Sequence, residues 1–163
     1  FSAGEGIANS VAQNETIKIK FEVDVNPPAY AEFEHKYRLM PVPYEVNMYD
    51  LPSLFAGKIH AVICRTWQNR IKGRDLYDYI FYLSKGAAVN QKHLRQRLLQ
   101  SGFITPSVEC TLPEIKEMLC ERFDQIDYAQ AKADVEPFIR NPSVLNIWSA
   151  DFFKQITESL ADK

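Results

Sequence analysis

The feature that most constrains this chain is a change of hydrophobic period at Asp50. Beyond it, Leu51, Leu54, Phe55, Ile59, Val62 and Ile63 recur at three- and four-residue spacing through LPSLFAGKIHAVICR, the stripe of a helix that buries one face. Asp50 is a suitable N-cap, and Pro52 falls in the first turn, where backbone N–H groups have no partner to lose. A loop, TWQNRIKG, leads to a second helix predicted from about Arg74 to Lys85, with Leu76, Ile80 and Leu83 inward and Gly86 as the stop. Tyr77, Ile80 and Leu83 are expected to be buried or half-buried. Four more helices follow from their caps. Asn90 opens QKHLRQRLLQ, and a Thr111–Glu114 capping box starts a helix to about Phe123. Asp127 starts one to about Phe138, and Ser149 opens ADFFKQITESL.

Before Asp50 the period is two. In IKIKFEVDV, Ile17, Ile19, Phe21, Val23 and Val25 alternate with Lys18, Lys20, Glu22 and Asp24, which predicts a half-buried strand. Asn26-Pro27-Pro28 ends it, because proline cannot donate to a sheet ladder. Phe33–Met40 and Tyr44–Tyr49 are two further extended stretches, separated by Pro41 and Pro43. The fold class expected is therefore α+β, a small antiparallel sheet within residues 1–50 followed by a helical bundle over residues 51–163.

Hydrophobic residues make up 46% and charged residues 25%, so the chain has the material for a packed core and is neither disordered nor membrane-embedded by composition. No apolar run approaches the ~20 residues that cross a bilayer, and the start lacks a signal-peptide pattern. A cytoplasmic protein is expected. The net charge of −2 argues against coating nucleic acid by bulk charge and confines any polyanion contact to a local patch. Cys64, Cys110 and Cys120 form no C-x-x-C pair, and His35, His60 and His93 are scattered singly. Free thiols and ordinary core or surface histidines are the reading.

Three sets of residues could carry chemistry. Lys20, Glu22 and Asp24 would share the polar face of the first strand, where two carboxylates beside a lysine can hold a divalent cation, or simply face water. Lys58 follows Gly57 in an otherwise apolar helix, and Arg65 lies seven residues on, nearly on the same face. Both could reach a phosphate, although Lys58 could equally snorkel from the exposed stripe. The stretch from Arg65 to Arg74, with Arg70, Lys72 and Trp67 and no acid, suits a phosphate and a stacked base, or a solvated loop. Asp75 and Asp78 follow one turn apart at a helix N-terminus, where capping alone could explain the first of them. No Walker loop, nucleophile elbow, H-E-x-x-H or kinase signature is present.

The segments DLPSLFAGKIHAVICR and KGRDLYDYIFYLSKG resemble the AbiEii/AbiGii family of toxin nucleotidyltransferases. The resemblance runs from about Ile17 to Phe153 and is most specific at K-G-R-D-x-Y-D. It implies a polymerase-beta-type sheet remnant in residues 1–50, and transfer of a nucleotide from a nucleoside triphosphate to an acceptor such as tRNA. Two magnesium ions would activate the attacking hydroxyl and stabilise the pyrophosphate leaving group. On this resemblance Lys58 and Arg74 would neutralise phosphate charge, and Asp75 would orient them or the attacking group. Arg65, Arg70 and Lys72 would contact the nucleotide, and Glu22 or Asp24 would stand at the acidic metal-binding strand. A cognate antitoxin is the further partner implied. The family's glycine–serine motif and D-x-D pair do not precede Ile17, so the chain reads as the C-terminal part of such a protein and is expected to be inactive alone. The alternative reading is a non-catalytic module that binds a nucleotide, an RNA or the antitoxin.

Overall fold

The computed structural model describes residues 19–65 and 72–163. Strands β1 (Phe33–Arg38) and β2 (Tyr44–Tyr49) pair antiparallel, with Phe33 opposite Tyr49 and Arg38 opposite Tyr44. The rings of Phe33 and Tyr49 stack at 4.7 Å across the open end of this hairpin. Six α-helices follow: α1 (Leu51–Cys64), α2 (Gly73–Ser84), α3 (Gln91–Gln100), α4 (Leu112–Asp124), α5 (Tyr128–Val135) and α6 (Ala150–Thr157). The architecture is α+β and mostly helical, as expected.

The first expected strand is a correction. Residues 19–25 form no strand, and Phe21 and Val25 are 88% and 93% exposed. Alternation becomes a half-buried strand only beside a ladder partner and an apolar layer. Among the described residues β1 and β2 pair only with each other, so the segment has neither. Ile17 and Lys18 lie outside the described residues.

The caps behave as their chemistry dictates. The Asp50 carboxylate accepts from the Ser53 amide at 2.9 Å, Asn90 from His93 at 3.0 Å, Asp127 from Gln130 at 3.0 Å and Ser149 from Phe152 at 3.2 Å. Thr111 and Glu114 complete the capping box. Gly86 follows α2 with φ of +64°, a left-handed conformation that costs glycine little. Helix α5 stops at Val135 and not near Phe138, because Pro137 cannot continue an α-helical ladder. A 3-10 turn, Glu136–Phe138, takes over, and a second one spans Pro142–Ile147.

Helix α1 is the centre of the bundle and packs against α2, α3 and α4, while α2 packs on α5 and α4 on α6. Phe55, Ile59, Leu76, Tyr79, Leu94, Leu98, Leu119, Phe123 and Phe153 are all fully buried. Aromatic rings run through this core, Phe55 to Tyr79 at 5.7 Å, Tyr79 to Phe123 at 5.7 Å and Phe123 to Phe153 at 5.2 Å. The Thr157 hydroxyl donates to Phe153 O at 2.7 Å, so the buried Tyr79 hydroxyl is the donor in its 2.7 Å bond to Thr157. Burial pushes the Tyr79 phenol well above its ordinary range, and it stays a neutral donor. On α2, Ile80 and Leu83 are half-buried, but Tyr77 is 45% exposed, against expectation.

Two polar fastenings hold the hairpin on the bundle. The Asn90 side chain donates to Tyr30 O at 2.9 Å and to the Ser53 hydroxyl at 3.1 Å. At the chain end, Lys163 Nζ lies 2.7 Å from Glu32 and 2.6 Å from Asp50. Burial opposes the Asp50 charge, but the bonds from Lys163 and Ser53 outweigh it and hold its carboxyl below the usual range.

Candidate functional site

Helices α1 and α2 are joined by two ion pairs that run in opposite chain directions. Lys58 Nζ is 2.5 Å from the Asp78 carboxylate, and Arg65 Nη1 is 2.8 Å from Asp75 Oδ2. Between the rungs the chain rises through seven residues from Lys58 and falls through three from Asp78, as in an antiparallel pair. Arg65 sits at the C-cap of α1, and Arg122 holds this helix end by donating to Arg65 O at 3.1 Å and Val62 O at 3.4 Å. These carbonyls have no partner within their own helix, and a guanidinium is well matched to them.

Asp75 is only 4% exposed. A carboxylate at that depth is costly unless it is paired, and Arg65 together with the first turn of α2 supplies the positive potential. Gly73 explains why α2 starts where it does. A Cβ there would lie 1.9 Å from Ala131 O and 2.8 Å from Val135 Cγ2, so only glycine lets the N-terminus of α2 sit against the α5 backbone. The glycine of K-G-R-D is thus a packing residue in this structure.

The ion pairs floor a cleft of about 470 Å³, within the range of small-molecule sites. Lys58, Arg65, Arg74, Asp75 and Asp78 supply its polar side. Tyr77 and the opposite wall of Val135, Phe138 and Ile139 supply apolar and aromatic surface. Phe138 is 76% exposed, and the 3-10 turn made by Pro137 presents it. Arg74 is exposed and, among the described residues, has no acidic partner. A cleft with a free guanidinium, two paired cations and an exposed aromatic ring can bind a phosphate and stack a planar ring.

The structure thus brings Lys58, Arg65, Arg74 and Asp75 together. Lys72 is the exposed N-cap position of α2, where its carbonyl accepts from the Asp75 amide at 2.9 Å, and it does not line the cleft. Arg70 and Trp67 lie outside the described residues. Glu22 and Asp24 are in the exposed segment before the hairpin. Glu22 pairs with Lys20, and Asp24 accepts from the Asn26 amide at 3.0 Å. They share no cleft with Lys58, because the strand that would have aligned them does not form.

The chain matches the family model described as "Nucleotidyl transferase AbiEii toxin, Type IV TA system" over residues 4–154. It belongs to the AbiEii nucleotidyltransferase toxin family. No curated protein and no solved structure shows significant similarity to it. AbiEii proteins are toxins of type IV toxin–antitoxin systems. Among the described residues, no three of His, Cys, Asp and Glu converge to hold a metal ion, and both cleft carboxylates already neutralise a cation. These residues do not by themselves fit a magnesium site. No helix among them is long and apolar enough to cross a membrane.

The sequence reading passed over the apolar wall and a second group beside the cleft, Arg97 and His93. The wall depended on where α5 ended, and Pro137 was its only signal. His93 and Arg97 are four residues apart and flank the buried Leu94 and Leu98, so their common face was legible. What they faced was not.

Proposed function

We propose that this AbiEii-family chain uses the α1–α2 cleft to bind a nucleoside triphosphate for transfer of its nucleotide to an acceptor such as tRNA. The observation that carries the reading is the meeting of Lys58, Arg65 and Arg74 at one cleft with an exposed aromatic wall. Arg74 offers a planar pair of donors to a phosphate, and Lys58 a point charge that Asp78 positions. Asp75 acts through Arg65, whose guanidinium it fixes. Tyr77 and Phe138 give the base a surface to stack on. Phosphoryl chemistry gains most from charge placed where it develops on the leaving group, and this is the part of the work assigned to Lys58 and Arg74. The family's toxin role makes a cognate antitoxin the natural protein partner.

One observation favours the second reading, a module that binds nucleotide, RNA or antitoxin without transferring anything. Asp75 and Asp78 both hold cations and leave no free carboxylate among the described residues that line the cleft. A single experiment separates the two: titrate a labelled nucleoside triphosphate into the protein, then add tRNA and follow the label. Binding weakened at least tenfold by Lys58→Ala or Arg74→Ala supports the cleft, a loss expected for charge-assisted bonds worth about 1.5–3 kcal/mol. Label on the RNA favours transfer, and binding without labelling favours the module only in a protein that carries the family's glycine–serine and D-x-D motifs. Affinity unchanged in both variants sinks the site.

A further inference from the structure

A second cavity, of about 280 Å³, is also lined by the Lys58 and Arg65 side chains. It shares Lys58, Arg65 and Asp75 with the cleft, and α3 closes it with His93 and Arg97. Three permanent cations face it against one carboxylate, and that carboxylate is paired with Arg65. Lys58 has Asp78. Arg97 has nothing: among the described residues no hydrogen bond or ion pair reaches its guanidinium, and its Nε is buried without a partner.

A buried guanidinium donor with no acceptor costs free energy that a folded protein ordinarily avoids. The neighbourhood makes the cost greater. His93 donates from Nδ1 to Ala29 O at 2.9 Å, and no bond from Arg97 reaches its other ring nitrogen. His60, whose Nε2 is also buried without a partner, has its pKa lowered to about 4, first by burial and then by Arg97, Arg65 and His93. Gly57 lines the same cavity. A Cβ there would lie 3.8 Å from Arg97 Cζ, in ordinary contact, so the packing does not demand glycine at this position.

We infer that this cavity is a phosphate subsite, distinct from the nucleotide cleft and contiguous with it, in which Arg97 is the principal ligand and Arg65 and Lys58 complete the positive wall. An anionic tetrahedral oxyanion supplies the acceptors that Arg97 lacks, and a guanidinium binds phosphate through two parallel bonds. The phosphate is either one belonging to the triphosphate or one from the backbone of the strand that receives the nucleotide. The link to transfer rests on the function proposed above, but the subsite does not.

The test is thermal unfolding of the whole chain in inorganic phosphate against chloride at equal ionic strength, since a ligand that binds only the folded state raises the midpoint. The wild type is expected to gain stability with rising phosphate, and Arg97→Met to weaken phosphate binding about tenfold or more. Gly57→Asp keeps the arginine and sets a carboxylate beside it, and is expected to abolish the phosphate effect even if Arg97→Met folds poorly. Arg74→Ala should keep that effect. No phosphate-specific gain in the wild type, its survival in Gly57→Asp, or its loss in Arg74→Ala alone would overturn the subsite. Two competitors, a nucleoside triphosphate and a short RNA with a 5′-hydroxyl, then name the source of the phosphate. Displacement by either one supports the proposal, and displacement by neither overturns it. If triphosphate binding ignores Lys58→Ala and Arg74→Ala while phosphate binding still needs Arg97, the nucleotide cleft falls and the subsite stands.

Discussion

Gly73→Ala adds one methyl group to the K-G-R-D motif, and the structure says what that methyl meets. Its carbon would lie 1.9 Å from Ala131 O, 2.8 Å from Val135 Cγ2 and 2.9 Å from the Ala131 carbonyl carbon. Carbon rarely approaches a carbonyl oxygen closer than about 3.3 Å, so α2 and α5 must separate by about 1.4 Å along that line. The obstacle is backbone, which cannot swing aside as a long side chain could. Overpacking of this kind costs about 1–3 kcal/mol and more when it cannot relax, and only a fraction is returned by alanine's better helix propensity. A loss of about 2–3 kcal/mol is expected. With a urea m value of about 1–3 kcal/mol/M, the unfolding midpoint should fall by roughly 1–2 M. Gly57→Ala is the matched control. It adds the same methyl where the nearest atom is 3.8 Å away, and should stabilise by about 0.5–1 kcal/mol as a helix-interior glycine replaced by alanine does. If Gly73→Ala unfolds with the wild-type midpoint, the α2–α5 contact is not what requires glycine. The same displacement moves Val135 and the turn carrying Phe138, so nucleotide affinity should fall in Gly73→Ala and not merely stability.

Breaking the Arg65–Asp75 pair should be asymmetric. Arg65→Ala strands a carboxylate whose side chain is 6% exposed and should cost about 2–3 kcal/mol, whereas Asp75→Asn leaves a guanidinium that is 41% exposed and should cost under about 1 kcal/mol. Equal costs by chemical denaturation would contradict the burial argument. The pH dependence follows from His60, whose folded pKa of about 4 lies below its ordinary 6.5. The unfolded chain binds more protons between those values, so stability should be steady above about pH 6.5 and fall as the pH drops toward 4. Urea midpoints at pH 7.5 and 5 check this, and His60→Gln should flatten the difference. In the core, Phe55→Ala should cost about 3–5 kcal/mol because the ring is fully buried. The half-buried Leu54 should lose less, and a reversed order in their melting points would show that α1 is turned differently.

The sequence alone determined what is local. Caps at Asp50, Asn90, Asp127 and Ser149 act between residues three apart, so their bonds can be read from residue type and spacing. The helical stripes of α1 and α2 are local in the same sense, because a helix aligns residues three and four apart wherever it ends up. Gly86 likewise ended its helix by its own backbone constraint, and Pro137 did the same at Val135, short of the expected end near Phe138. Lys58 could be singled out because it interrupts an apolar stripe, Arg65 and Arg74 because they bound a basic stretch, and Asp75 because it is the acid that follows it. Only the tertiary structure decided who pairs with whom. Residues 19–25 have a strand's alternation and lack a ladder to join, because a strand is completed by another segment and not by itself. Gly73 carries no local sign that the α5 backbone, some sixty residues on, comes within contact distance. The vacancy around Arg97 is non-local in the same way. Its charge is written in the sequence, but whether a carboxylate reaches it depends on how α1, α2 and α3 pack, and among the described residues they bring it other cations and an acid already taken.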